Sequence, residues 1–346
     1  MDPRELADGG QPVAGPALGD APAEVGGDTF VGGSAHALLL YIVRIRDSVT
    51  QPATVTLSEP RRFEGEALAA LGVLAFSLTF PATKLALRGF SPWFIAFGRA
   101  VVAAALALGA LRMLRSAWPS GSEALRLAVV AGGVVFGFPL LSSLAVERSG
   151  SAHAAVLHGL LPAATALVAT VRAGERPGRL FWTGCIAGAT VVVVFAVGEA
   201  NGPPTPADAY MLIAVVLCAI GYAEGGVLAR TRGGFETICW AVVLSAPVAV
   251  AGAALTAPRA LPPRAAVAGL GYVGVFSMFL GFAAWYGGLA RAGVARASQL
   301  QLFQPVLAVA WSTLLLGEDA TWAILAAAVG VGGSVAVTQW ARVARQ

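Results

Sequence analysis

The sequence predicts an all-α integral membrane protein of ten transmembrane helices, built as two inverted five-helix repeats. Three observations carry that expectation. Hydrophobic residues make up 57% of the chain and charged residues 12%, with a mean hydropathy of +0.74, whereas a soluble domain carries roughly 25% charged residues. From Glu66 onward, ten apolar stretches of about bilayer-spanning length follow one another. The stretch Leu144 to Glu175, LAVERSGSAHAAVLHGLLPAATALVATVRAGE, also returns as Gly287 to Glu318, GGLARAGVARASQLQLFQPVLAVAWSTLLLGE. Laid over each other without a gap, the copies match Arg148 to Arg291, Gly150 to Gly293, Pro162 to Pro305, Gly174 to Gly317 and Glu175 to Glu318, each pair 143 residues apart (305 − 162). A repeat this long in so apolar a chain points to a membrane protein made by duplication.

Taken in order, residues 1–60 form an N-terminal extension. Met1 to Gly33 is rich in Gly, Pro, Ala and acidic residues, too little apolar surface to offset the entropy of ordering, so disorder is expected. The apolar run from His36 to Val43 is too short to span and closes at Arg44 and Arg46. The opening MDPRELADGG lacks the basic start of a secretory signal, so no cleaved signal is expected. The spans then run over 67–87, 92–112, 124–145, 151–172, 180–198, 208–229, 235–256, 266–289, 294–316 and 321–340. They fall into repeats over 66–200 and 207–341, with loops so short that consecutive helices are antiparallel neighbours.

Charge sets the orientation. With the N-terminus inside, thirteen arginines face the cytoplasm, from Arg61 and Arg62 to Arg342 and Arg345, against Arg88, Arg148, Arg259 and Arg264 outside. Both termini are therefore expected in the cytoplasm. Because five is odd, the second repeat enters the bilayer upside down, the arrangement of alternating-access carriers. The net charge of +4 does not point to nucleic acid, since Lys and Arg are spread between spans rather than gathered in a patch. Lipid and a small-molecule substrate are the expected partners.

Enzyme and cofactor chemistry find no support. The chain holds no HExxH, no phosphate-binding loop ending in Gly-Lys-Ser/Thr and no G-x-S-x-G. Cys185, Cys218 and Cys239 lie inside apolar stretches, which implies small packing residues rather than a disulfide framework or metal site. Without a nucleotide-binding loop, the drive is an ion gradient or the solute's own gradient.

From about Glu66 to Arg345 the chain resembles the EamA family of the drug/metabolite transporter superfamily. FSLTFPATKLAL (Phe76 to Leu87) is similar to that family's opening helix, with Lys84 matching its final Lys, Phe76 standing where Trp is usual and Thr79 where Asn is usual. Ser91-Pro92 followed by Phe97-Gly98-Arg99 resembles the start of the second helix with its Arg, and the two Pro-to-Gly-Glu helices resemble the fourth helix of each half. The resemblance implies a ten-helix inner-membrane carrier, commonly an exporter of metabolites, amino acids or drug-like molecules.

The residues that would carry transport are the polar and helix-breaking ones. Pro162 and Pro305 each remove a backbone hydrogen bond in mid-span, tolerated where protein or a watery cavity satisfies the freed carbonyl, which favours helices lining a central pathway. One turn before each stand His158 and Gln301, with Gln304 adjacent; they line the cavity or only tie helices together. Glu224 is the carboxylate deep in the sixth span, where a charge costs at least ~2.5–3.5 kcal/mol. It serves either as a proton-coupling site or as a fixed partner of Lys84 or Arg99. Lys84 and Arg99, near the outer ends of their spans, snorkel to the interface or attract an anionic substrate. Phe76, Phe80, Tyr222, Trp285 and Tyr286 form cavity walls or ordinary packing. Gly184 and Gly188, and Ala326, Gly330 and Ser334, are small-residue stripes that join either the two halves or a homodimer. A membrane enzyme or a channel of the same helical class is the alternative reading; the first needs paired catalytic groups at one interface and the second a continuous polar stripe.

Overall fold

The computed structural model describes residues 59–173, 178–200, 205–292 and 300–343. The expected N-terminal extension lies outside them, except that the first helix already begins at Glu59. Within the described residues every regular element is helical. In order these are α1 (Glu59–Ser77), α2 (Thr79–Ala86), α3 (Pro92–Met113), α4 (Gly121–Val130), a first π-helical stretch (Ala131–Gly137) and α5 (Phe138–Ser149). The first half closes with α6 (Ser151–His158), α7 (Leu161–Ala173) and α8 (Arg179–Ala200). The second half holds α9 (Pro206–Arg232), α10 (Gly234–Leu255), α11 (Arg264–Gly271), a second π stretch (Tyr272–Gly281) and α12 (Phe282–Ala292). A 3-10 turn (Gln301–Phe303), α13 (Gln304–Leu316) and α14 (Trp322–Val343) complete it.

Local chemistry explains the boundaries. Ser91 caps α3 by accepting the Phe94 N–H at 3.1 Å, with Pro92 in the first turn. Ser120 and Glu123 form a capping box at the start of α4. At the start of α9, Asp208 accepts from the N–H and hydroxyl of Thr205 at 2.7 and 2.8 Å. Two of the repeated glycines sit at helix ends with positive φ, Gly150 at 86° and Gly317 at 66°, a conformation that favours glycine at these positions.

Six helices are long and apolar enough to cross a membrane: 63–86, Pro92–Met113, Gly121–Ser149, 206–229, Gly234–Leu255 and 264–288. The shorter apolar helices are Trp182–Phe195, Gln304–Leu316 and Trp322–Val337. Large apolar side chains also point outward, among them Leu125, Ile186, Val194, Leu255 and Leu314, a surface that suits lipid and not water. The chain is a multi-pass helical membrane protein.

The helices pair across the halves in a pattern that survives exchanging one half for the other. The first span (α1–α2) packs on the eighth (α11–α12), and the sixth (α9) on the third (α4–α5). The second pairs with the seventh (α3, α10), the fourth with the ninth (α6, α13) and the fifth with the tenth (α8, α14). In this last pair Gly188 faces Ser334 and Gly330 faces Val191. These small residues of the predicted stripes therefore join the two halves within one chain, letting their backbones approach closely. Both π stretches fall at corresponding places, in the third and eighth spans, and were not foreseen from sequence.

Candidate functional site

Among the described residues five helices lose their regular α-helical hydrogen bonding, the eighth in its π stretch, and the site is made where they do. The first span breaks at Leu78, between Ser77 and Thr79, just before Pro81. The fourth breaks at Gly159–Leu160, ahead of Pro162, and the ninth is 3-10 helical over Gln301–Phe303, ahead of Pro305. The two proline breaks touch, since a Cβ on Gly159 would lie 2.9 Å from Pro305 Cγ. The third span is π-helical just before Pro139. A proline cannot donate to the preceding turn, and widened or broken turns relieve the resulting mismatch while turning side chains inward.

These breaks border a cavity. Its walls are Phe76, Thr79 and Phe80 from the first span, Arg99 from α3, and Val134, Phe138 and Pro139 from the third span. His158, Cys218, Tyr222, Ser277, Met278, Phe282, Gln301 and Gln304 complete them. Both halves contribute. The cavity offers about 30 Å³ of water-accessible space, enough for roughly two or three waters at 10–15 Å³ each. A molecule larger than a few waters therefore fits only when the walls separate.

Two polar clusters lie in the wall. On one side an Arg99 guanidinium nitrogen donates to Ser277 Oγ at 3.0 Å, and the Ser277 and Thr79 hydroxyls share a hydrogen bond at 2.8 Å. The Arg99 Nε–H has no partner, although the residue is only 3% exposed. On the other side Gln304 Nε2 meets His158 Nε2 at 2.9 Å, while His158 Nδ1 and Gln304 Oε1 are buried and unpartnered. If the amide donates to Nε2, the imidazole proton sits on Nδ1 and one donor and one acceptor are left over; flipping the amide exchanges their roles. Phe80 and Phe138 pack on the His158 ring, both at 5.2 Å between centroids.

The structure brings together Phe76, Thr79, His158, Tyr222, Gln301 and Gln304 around this one cavity. Trp285 is not part of its wall. Its ring packs on Phe76 at 6.4 Å, and its backbone lies against Gly72, because the first and eighth spans run in close contact there. Tyr286 likewise lies against Gly234. Lys84 is elsewhere, near the ends of the first, third and ninth spans, in a shallow recess with Leu87, Arg88, Glu147, Leu316 and Glu318.

Two expectations about charge are corrected. Arg99 does not snorkel; it is buried and belongs to the cavity wall, because Ser277 on the facing π stretch holds its head group. Glu224 pairs with neither Lys84 nor Arg99, but with Arg126 of α4. The close packing of α9 against α4 sets that choice, and a second pair, Arg232 with Glu123 at 2.9 Å, ties the same two helices. Arg126 sits little more than one turn inside its helix, and the sequence analysis does not single it out. Ser277, Met278 and Phe138 were also missed, and no local signal marks them. Pro139 gave one, a proline within a long apolar span like Pro162.

At the opposite end of the molecule, the Glu318 carboxylate closes the start of α6. It accepts from Ser151 N–H at 3.1 Å, Ser151 Oγ at 2.9 Å and Ala152 N–H at 3.0 Å. Ser151 Oγ also bonds Ser312 Oγ at 2.8 Å. The Gly-Glu exit of one repeat thus caps the first turn of the copy in the other.

The sequence profile of the EamA-like transporter family matches residues 63–197 and again residues 205–339. A protein of Bacillus subtilis (strain 168), named "Uncharacterized transporter YdeK", is 43% identical over 263 residues, covering 75% of this chain and 92% of that protein. A protein of Streptantibioticus cattleyicolor, named "Probable terminal-alkyne amino-acid exporter", is 26% identical over 282 residues, covering 78% and 91%. A solved crystal structure superposes with a TM-score of 0.60 at 18% identity, covering 82% of this chain and 100% of its own. It speaks for the fold alone.

Proposed function

The chain belongs to the EamA-like transporter family, and from that premise we propose that it is a secondary carrier exporting small metabolites, amino acids or drug-like molecules across the inner membrane. The observation that carries this reading is the cavity built from broken helices of both halves. In an alternating-access carrier the substrate site lies between repeats, at interrupted helices, and the repeats rock around it. The exchange-symmetric pairing of spans fits two repeats arranged around one site, and the cavity's small volume means that access requires movement of its walls. Ten crossings with both termini in the cytoplasm complete the arrangement. Export is supported by the exporter name of one relative.

Each end of the cavity has its own fastening: Glu318 on the first turn of α6 at one, and Arg126 with Glu224 at the other. The second fastening offers a route for coupling to protons. A proton on Glu224 removes the charge that holds Arg126 and so loosens α4 from α9, which the Arg232–Glu123 pair still joins. The Arg126 side chain is 34% exposed, so protein does not enclose it when released.

The test is uptake into everted vesicles or proteoliposomes of a panel of amino acids, organic acids, amines and neutral solutes, with and without an imposed pH gradient. Accumulation of at least one solute above empty vesicles is expected; no movement of any of them overturns the carrier reading. Glu224→Gln, which imitates the protonated side chain, is expected to keep solute exchange and lose its acceleration by the pH gradient. An unchanged gradient response would leave the pair as a static brace between α4 and α9.

A further inference from the structure

Arg99 is a buried cation without a counter-charge. It lies in the membrane-spanning region, 3% exposed, and among the described residues it makes no ion pair. Its partner is a neutral hydroxyl, Ser277 Oγ, and its Nε–H points to nothing. Burying a guanidinium in this way is costly, and proteins retain such a group where a counter-ion or substrate completes it. Lys84 and Arg126 do not pose the same problem, since the first reaches the recess near Glu147 and the second is paired. The second half has Val242 at the position 143 residues after Arg99, so the charge marks one side of the cavity only.

Resting on the carrier reading above, we infer that Arg99 is the anchor for a carboxylate on the transported molecule. A guanidinium presents parallel N–H donors that match the two oxygens of a carboxylate. Ser277, bonded to one Arg99 nitrogen, and Thr79, bonded to Ser277, keep that fork in place. The rest of the cavity matches the remainder of such a molecule. Phe76, Phe138, Met278 and Phe282 offer an apolar surface, and the unpartnered atoms of His158 and Gln304 offer a neutral donor and acceptor for a second polar group. Among the described residues no carboxylate lines the cavity, which disfavours a simple amine. The class of substrate is thus a small carboxylate with an apolar body, with or without an amino group.

The experiment measures proteoliposome transport by the full chain of L-leucine, 4-methylpentanoate and leucinamide, alongside a set of other amino acids and their amides, in wild type, Arg99→Lys and Arg99→Gln. Carboxylate-bearing solutes are expected to move at least tenfold faster than the matched amides. Arg99→Gln should abolish that preference and Arg99→Lys should keep part of it. A structural role is separated by thermal unfolding without substrate. Removing an uncompensated buried charge should leave the midpoint of Arg99→Gln at or above that of wild type, and protection by added carboxylate should be lost. Transport confined to amines, amides or neutral solutes overturns the assignment and leaves the carrier reading standing, as does wild-type selectivity in Arg99→Gln. Unfolding of Arg99→Gln well below wild type also overturns it, since Arg99 would then be holding the fold. Failure of every solute overturns both.

Discussion

Gly133→Val is expected to deprive the protein of its folded state, the largest effect we foresee for any single methyl-bearing substitution. Gly133 lies in the first π stretch, where that stretch crosses α9. A Cβ there would lie 2.3 Å from the Leu217 carbonyl oxygen and 3.1 Å from both N and Cα of Gly221. On the facing side, a Cβ on Gly221 would lie 2.8 Å from Val134 Cγ2. The obstacle is backbone, so no side chain can rotate away. Within a bilayer, helices associate through close packing rather than through exclusion of water; forcing this pair apart removes what holds it together. Overpacking costs about 1–3 kcal/mol where neighbours can shift, and here they cannot. The neighbouring Gly132 has nothing within 4 Å of its would-be Cβ, so Gly132→Val is the control, expected within about 0.5 kcal/mol of wild type. Size-exclusion profiles and thermal midpoints in detergent decide the matter. Equal midpoints for the two variants would show that the third and sixth spans do not meet as closely as described.

Glu318→Ala is expected to loosen the fastening between the halves. The change strands the Ser151 and Ala152 N–H groups, and Ser151 is fully buried. Leaving such donors unsatisfied costs about 1–3 kcal/mol, and the loss is increased because the bonds are charge-assisted. Ser151 Oγ keeps its bond to Ser312, which limits the damage. A midpoint several degrees below wild type should follow, with Glu318→Gln between the two because its amide oxygen still accepts. If the carrier rocks as proposed, easier opening at this end should also raise the rate of solute exchange. A midpoint unchanged in Glu318→Ala would mean that water replaces the carboxylate without penalty.

Much of the candidate site was legible before any coordinates. Pro162 and Pro305 announced the breaks, because a proline's missing N–H acts on its own turn. His158, Gln301 and Gln304 followed, being polar groups within a turn of those breaks. Trp285 misled because aromatic character does not say which way a ring faces: on the eighth span that face lies against Gly72. Arg99 misled for a similar reason, since snorkelling depends on what stands opposite, and Ser277 lies 178 residues away in sequence.

By itself, the sequence determined that the chain lives in lipid, that it is a duplication, and where two of its helices break. Each of these follows from hydropathy, capping and backbone chemistry acting within one or two turns. Only the tertiary structure decided that Glu224 meets Arg126, that Arg99 turns inward, and that Gly133 meets Gly221 at backbone contact. Those outcomes depend on the rotation of one helix against another, which the π stretches alter by changing which residues share a face. Rotation is settled by packing between segments far apart in the chain, and no local pattern encodes it.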